Sequence, residues 1–315
     1  MVVLLLSTPF VLPPLSFSFR STTPPKLSLS LSASSSSTSS FSSMDPQIGR
    51  PRFTDFPHLS APHRDLMVQL VSTVETRLSS HLLPSSLPPD VEYYQNETAS
   101  SQGTLHIRSA HPDSPVDFIL GSWLYCTTPT GSLNVTTLTA YLNSKTDAPR
   151  LLMEFLQTGP TSMILILDLP PRRDMVLHKD YLQHYYVDPN LDHLRQRLQI
   201  LPEVQPYFAS SLYIRCALSP AAVSVVISCR APDRMEEIMR DQVSSVAKEM
   251  LEIWLERCAR GGVEFGEGER EVLEKRDRLI KESTVEIDLR SSLPRLFGEE
   301  VGSRVIGAIK EAFKL

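Results

Sequence analysis

The first 44 residues of this 315-residue chain contain no aspartate and no glutamate, and only Arg20 and Lys26 carry positive charge. The stretch LSLSLSASSSSTSSFSS among them is mostly serine. Missing acid together with abundant serine is the composition of an organellar transit peptide. A secretory signal would account for the apolar VVLLL and FVLPPL, but no basic residue precedes them and the serine tract runs far past a cleavage site. Residues 1–44 are therefore expected to be a disordered segment for import into the chloroplast stroma. Residues 45–315 are expected to be one mature domain, starting near Asp45, the first acidic residue.

Other absences narrow the class further. No run reaches the roughly 18 apolar residues of a membrane span, so no integral membrane segment is expected. Cys126, Cys216, Cys229 and Cys258 form no C-x-x-C pair, and no histidine stands at zinc-ligand spacing, which speaks against a bound metal and against a disulfide framework. A basic excess is missing too. Taking away residues 1–44 removes two of the 31 Lys and Arg and none of the 36 Asp and Glu, moving the formal charge from −5 to −7. A body that acidic is not built to hold nucleic acid. G-x-S-x-G, P-loop, H-E-x-x-H and Rossmann patterns are absent, and GGVEFGEGER carries glutamates that repel phosphate. No bound nucleotide is expected.

What is present is a series of apolar, β-branched segments. TLHIRSA, VDFILGSWLYC, SLNVTTLTAYL, RLLMEFLQ, SMILILDL, SSLYIRCAL and AVSVVISC read as strands separated by turn signals such as HPDSP and TGPTS. Short links between the first five predict an antiparallel meander, because a parallel pair needs a long crossover. APHRDLMVQLVSTVETRLSSHLLP repeats Leu66, Leu70, Val74 and Leu78 every four residues and reads as a helix. HKDYLQHYY and NLDHLRQRLQI read as helical interruptions of the strands. Asp233 with Glu236 forms a capping box before the stripe Met235, Ile238, Met239, Val243, Val246, Met250, Ile253 and Trp254, which Gly261-Gly262 closes. REVLEKRDRLI and EEVGSRVIGAIKEAF read as two further helices. Helices before, within and after one antiparallel sheet predict an α/β fold, specifically an α/β/α sandwich.

Glu154 is the chemically conspicuous residue. It shares a pleat face with Leu152 and Leu156, while Met153 and Phe155 make the other face apolar as well. Burial raises a carboxyl pKa, so Glu154 is either a proton donor near neutral pH or an acid at a strand end, paired to an arginine or wet. Asp288, between Ile287 and Leu289, is either a second such acid or a turn cap. Arg172, Arg173 and Lys179 follow a strand end and form either a solvated face or a docking patch for an acidic partner, with Lys275, Arg276 and Arg278 as the alternative patch.

TLHIRSA, SPVDFILGSWLYC, LILDLPPRRDMVL, DYLQHYYVD, LPEVQPYFASSLYIRCALSP, LEIWLERC and PRLFGEEVGSRVIGAIKEAF together closely resemble the red chlorophyll catabolite reductases, from about Phe53 to the C-terminus. That resemblance implies the fold of the ferredoxin-dependent bilin reductases. It implies reduction of one methine bridge of red chlorophyll catabolite, an open-chain tetrapyrrole supplied by pheophorbide a oxygenase, to primary fluorescent chlorophyll catabolite. Reduced ferredoxin would be the external electron donor, and no flavin, metal or nicotinamide would be bound. The match places substrate-contacting carboxylates on Glu154, as a proton donor, and on Asp288, as a second donor or as the group that holds the pyrrole nitrogens, with further substrate contacts on Tyr207, Phe208 and Ala209. Leu218 falls where the family varies between aromatic and aliphatic residues and where product stereochemistry is decided, which leaves the epimer open. A homodimer is compatible with the resemblance. The competing expectation is a non-catalytic tetrapyrrole carrier that shields the cell from a phototoxic pigment; it needs a pocket but no proton donors.

Overall fold

Strand alternation and helix periodicity meet on one sheet in the computed structural model, which describes residues 51–128, 131–261 and 266–315. The expected import segment 1–44 and Gly262 lie outside the described residues. The strands are β1 (Tyr93–Gln95), β2 (Ser101–Ser109), β3 (Val116–Thr128), β4 (Gly131–Leu142), β5 (Leu151–Gly159), β6 (Ser162–Asp168), β7 (Val204–Pro206) and β8 (Val223–Ser228). They pair in the order β1-β2-β3-β4-β5-β6-β8-β7, every pair antiparallel. The predicted meander is thus β2 to β6. The three-residue edges β1 and β7 are too short to leave a period in the sequence.

Helices cover both faces, as the α/β/α reading expected. The helix Ala61–Arg77 starts after an extended Ser60 with proline in its first turn, and buries Leu66, Met67, Leu70, Val71 and Val74 at three- and four-residue spacing. Together with Val246, Met250, Leu251 and Trp254 of the helix Ser244–Arg257, these side chains pack on Ile119, Trp123, Leu138, Met153, Phe155 and Leu165, the first face of the sheet. Each such aliphatic side chain, fully buried, contributes about 1.5–3 kcal/mol. Trp254 also donates its indole N–H to the carbonyl of Pro149 at 3.1 Å, tying that helix to the entry of β5.

The second face carries Leu105, Leu120, Leu124, Val135, Leu152, Leu156 and Ile166 against Val285, Leu289, Leu293, Phe297, Val305, Ile309 and Phe313. These last come from the turn Thr284–Leu289 and the helices Arg290–Phe297 and Glu299–Phe313. The two helices cross closely because residue 302 is glycine. A Cβ there would stand 2.7 Å from the backbone nitrogen of Pro294.

Two local expectations are corrected. SSLYIRCAL is not a strand: Leu212–Ala217 is a helix, with Ser211 accepting from the Ile214 N–H. Its β-branched and aromatic content mimics a strand, and the serine cap decides otherwise. Asp233 is not a cap either, because Ala231 occupies that position and Pro232 takes the first turn.

Candidate active site

β5 lies inside the sheet, paired to β4 and β6, so its alternation sends Met153 and Phe155 into the first face and Leu152, Glu154 and Leu156 into the second. Glu154 is 1% exposed. Neither carboxyl oxygen has a hydrogen-bond partner among the described residues. Desolvation pushes its pKa up to about 8, and the neighbouring Asp288 carboxyl adds to the rise. Glu154 is therefore a protonated acid at neutral pH, and the strand-end alternative is removed by its central position.

Asp288 reaches the same space from the opposite layer. It lies in a π-helical turn, Thr284–Leu289, inserted between the helices Glu267–Ser283 and Arg290–Phe297. The local sequence favours that irregularity. Thr284, Val285 and Ile287 are β-branched and crowd an α-helix, and Thr284 donates its hydroxyl to the Ile280 carbonyl at 2.8 Å. The hydroxyls of Ser291 and Ser292 both donate to the Asp288 carbonyl, which holds the wide turn in place. Asp288 is thereby buried over the sheet instead of capping an end, and desolvation pushes its pKa up to about 7.

Tyr207 completes the juxtaposition. Its backbone is fixed to β8, the N–H to the Ser224 carbonyl at 2.9 Å and the carbonyl accepting from the Ser224 hydroxyl at 2.8 Å. Burial pushes the phenol up to about 12, with the Glu154 charge as the second cause. Ala209 is buried with Ile214 in a small cluster, and Tyr207 and Leu218 bridge that cluster to the second-face core. Phe208 departs from this group, being 74% exposed.

Sequence reasoning missed two further buried charged groups on the second face. Asp168, at the end of β6, accepts from the Ser219 N–H at 2.8 Å and the Ser219 hydroxyl at 2.5 Å, and burial pushes it up to about 6. It thereby fixes the residue next to Leu218. The signal was the acid inside SMILILDL, the same signal that exposed Glu154. Arg150 is buried with its guanidinium 5.2 Å from the ring centre of Tyr141.

The first basic patch is corrected. Arg172 is 2% exposed, and its guanidinium binds Asp277 and the carbonyls of Thr146 and Asn143. Arg173 pairs with Asp147 and Glu269. These arginines serve the end of the sheet, leaving Lys179 exposed. In the alternative patch, Arg276 donates to the Pro171 carbonyl and Arg278 pairs with Glu282. A groove of about 570 Å³ runs past Arg172, Leu177, Val272 and Lys275, and it includes none of Glu154, Tyr207 or Asp288. Among the described residues no group of three His, Cys, Asp or Glu is placed to hold a metal ion, and no helix is long and apolar enough to cross a membrane.

Known proteins resemble this chain in sequence and in fold. Residues 62–311 match the family model "Red chlorophyll catabolite reductase (RCC reductase)". The chain is 51% identical over 268 residues to "Red chlorophyll catabolite reductase, chloroplastic" of Arabidopsis thaliana, covering 84% of each chain. It is 41% identical over 255 residues to "Red chlorophyll catabolite reductase 1, chloroplastic" of Oryza sativa subsp. japonica, covering 80% of this chain and 78% of that one. Among solved structures, tomato phytochromobilin synthase in complex with biliverdin aligns with a TM-score of 0.61 over 80% of this chain and 82% of that chain. At 19% identity that likeness establishes a shared bilin-reductase fold. The extent of the family match and the identity to its curated members place this chain in the red chlorophyll catabolite reductase family.

Proposed function

We propose that this protein is a chloroplast stromal, ferredoxin-dependent reductase of an open-chain tetrapyrrole. It reduces one methine bridge of red chlorophyll catabolite, received from pheophorbide a oxygenase, to primary fluorescent chlorophyll catabolite. The observation that carries the reading is Glu154: a buried carboxyl with no hydrogen-bond partner, its pKa near 8, set against Asp288. The bridge gains two electrons and two protons. Reduced ferredoxin delivers the electrons singly, with no flavin, metal or nicotinamide bound. Glu154, protonated at neutral pH, gives its proton to the bridge and is left as a carboxylate. Asp288, near its midpoint at pH 7, supplies the second proton or holds the pyrrole nitrogens. Tyr207, Ala209 and Leu218 wall the tetrapyrrole.

The test is anaerobic incubation of the mature protein with red chlorophyll catabolite and a reduced-ferredoxin system, read by the blue fluorescence of the product. Fluorescent product that depends on ferredoxin supports the reading. Tight binding of the pigment without turnover would replace it with a carrier function.

A further inference from the structure

Glu154 is one member of a row. The register pairs it with Thr137 of β4, and Thr137 with Ser122 of β3. Directly opposed residues on antiparallel strands share a face, and their Cβ atoms stand roughly 4.5–5.5 Å apart. Ser122, Thr137 and Glu154 therefore form one line across three strands on the second face, and Glu154 at its end is the neighbour of Asp288. All three are buried, Thr137 completely. The hydroxyls of Ser122 and Thr137, like both oxygens of Glu154, have no hydrogen-bond partner among the described residues.

Such hydroxyls are costly in a sheet interior. A buried polar group without a partner pays its desolvation in full, and valine would fill the place of Thr137 without that cost. Other buried hydroxyls on or beside the sheet have partners, Thr136 with His63 at 2.9 Å and Ser219 of the loop before β8 with Asp168 at 2.5 Å, while Thr104 on the first face has none among the described residues. The unpartnered row coincides with the one strand position that carries the unpartnered acid.

We propose that Thr137 is a positioning residue for Glu154, with Ser122 behind it. When Glu154 gives up its proton, the carboxylate left behind accepts a hydrogen bond from the Thr137 hydroxyl, and Thr137 in turn accepts one from Ser122. No covalent bond changes in the row; two hydroxyl rotors turn toward a charge that exists only after proton donation. The row thus stabilises the product state of the proton transfer without ionising Glu154 beforehand. This inference rests on the proton-donor role of Glu154 proposed above.

Thr137→Val tests it, with Thr137→Ser as the variant that keeps the hydroxyl. Thr137→Val should leave the melting temperature unchanged or raised and pigment binding within about twofold of wild type, while turnover falls about tenfold, as for lost stabilisation of a transferred proton. Losing a donor to the carboxylate raises the Glu154 pKa, so the alkaline limb of the pH–rate profile should move to higher pH. Thr137→Ser should restore both. Wild-type turnover with an unmoved alkaline limb in Thr137→Val would overturn the proposal. An activity-independent arm uses infrared difference titration of the Glu154 carboxyl, assigned by its loss in Glu154→Gln. Thr137→Val should raise its midpoint even if the enzyme reading fails, and an unmoved midpoint would likewise overturn the role of the row.

Discussion

His63 and Glu154 sit back to back on one sheet, His63 bonded to Thr136 of β4 on the first face and Glu154 opposite Thr137 of the same strand on the second. Burial keeps both neutral, lowering the imidazole to about 4 and raising the carboxyl to about 8. Their surroundings differ. His63 is held by a hydroxyl 2.9 Å away amid the apolar packing of the Ala61–Arg77 helix, whereas Glu154 has no partner and faces another acid. On the first face the imidazole fixes a helix to the sheet, although Thr104, Trp123 and Asn134 there each keep a buried polar atom without a partner among the described residues. On the second face the unpartnered groups Ser122 and Thr137 line up with an acid, at a cost in stability. What sets Glu154 apart from His63 is that neither of its oxygens has a partner among the described residues and that a second buried acid stands beside it, whereas one nitrogen of His63 is bonded.

The sharpest way to break this contrast is to substitute neighbours on β5. Phe155→Ala, on the first face, should cost about 3–5 kcal/mol in urea unfolding while turnover per folded molecule stays near wild type. Glu154→Gln should do the reverse, keeping the fold and the bound pigment while turnover falls at least about tenfold, the loss expected for a general acid. A Glu154→Gln enzyme with wild-type turnover would sink the assignment of chemistry to the second face. Arg172→Ala belongs with Phe155→Ala: breaking the buried pair with Asp277 should lower stability by roughly 3–5 kcal/mol and leave the salt dependence of the proposed ferredoxin-dependent turnover unchanged.

The two faces should also be separable by pH, with opposite signs. Between pH 4.5 and about 8 the unfolded chain releases the Glu154 proton and the folded chain keeps it, so stability falls as pH rises through this window. Asp288 acts in the same direction between 3.8 and about 7. Between 6.5 and about 4 the unfolded chain takes up a proton that folded His63 refuses, so stability falls as pH drops. Each effect is on the order of a few kcal/mol. Urea midpoints across this range should show Glu154→Gln removing part of the alkaline loss and His63→Gln part of the acid loss. The same change in both variants would mean that the faces are not independent.

The central strands, the flanking helices and the oddity of Glu154 were legible because each is a pattern along the chain: alternation, four-residue spacing, an acid among aliphatics. What stayed hidden depends on relations across it. Ser122, Thr137 and Glu154 lie far apart in sequence and become a row only through strand register. Asp288 read from its neighbours foremost as a turn cap, and the π-helical turn instead buries it over the sheet. Arg172 looked like surface charge because nothing in LDLPPRRD announces Asp277, 105 residues away. Leu212–Ala217 was misread because six residues carry too little periodicity to outweigh their strand-like composition.

The smallest predicted effect lies at the rim of the second face. Leu218 is half-buried, bridges Tyr207 and Ile214 to the main core, and is followed by Ser219, which Asp168 holds through two hydrogen bonds. Its backbone is thus fixed, and only the shape of its side chain is free to differ from an aromatic one. A phenylalanine fills space further from the backbone than leucine and would tilt a linear tetrapyrrole relative to the proposed donors, which stay in place on β5 and the Asp288 turn. A tenfold preference for one face of the bridge needs about 1.4 kcal/mol between competing transition states. That is within the 1–3 kcal/mol that small changes in an apolar pocket supply. Leu218→Phe should therefore change the ratio of the two C1 epimers, separated by chromatography, in an enzyme that still turns over and melts within a few degrees of wild type. If Leu218 were ordinary core, overpacking would instead cost about 1–3 kcal/mol of stability and leave the epimer ratio where it was.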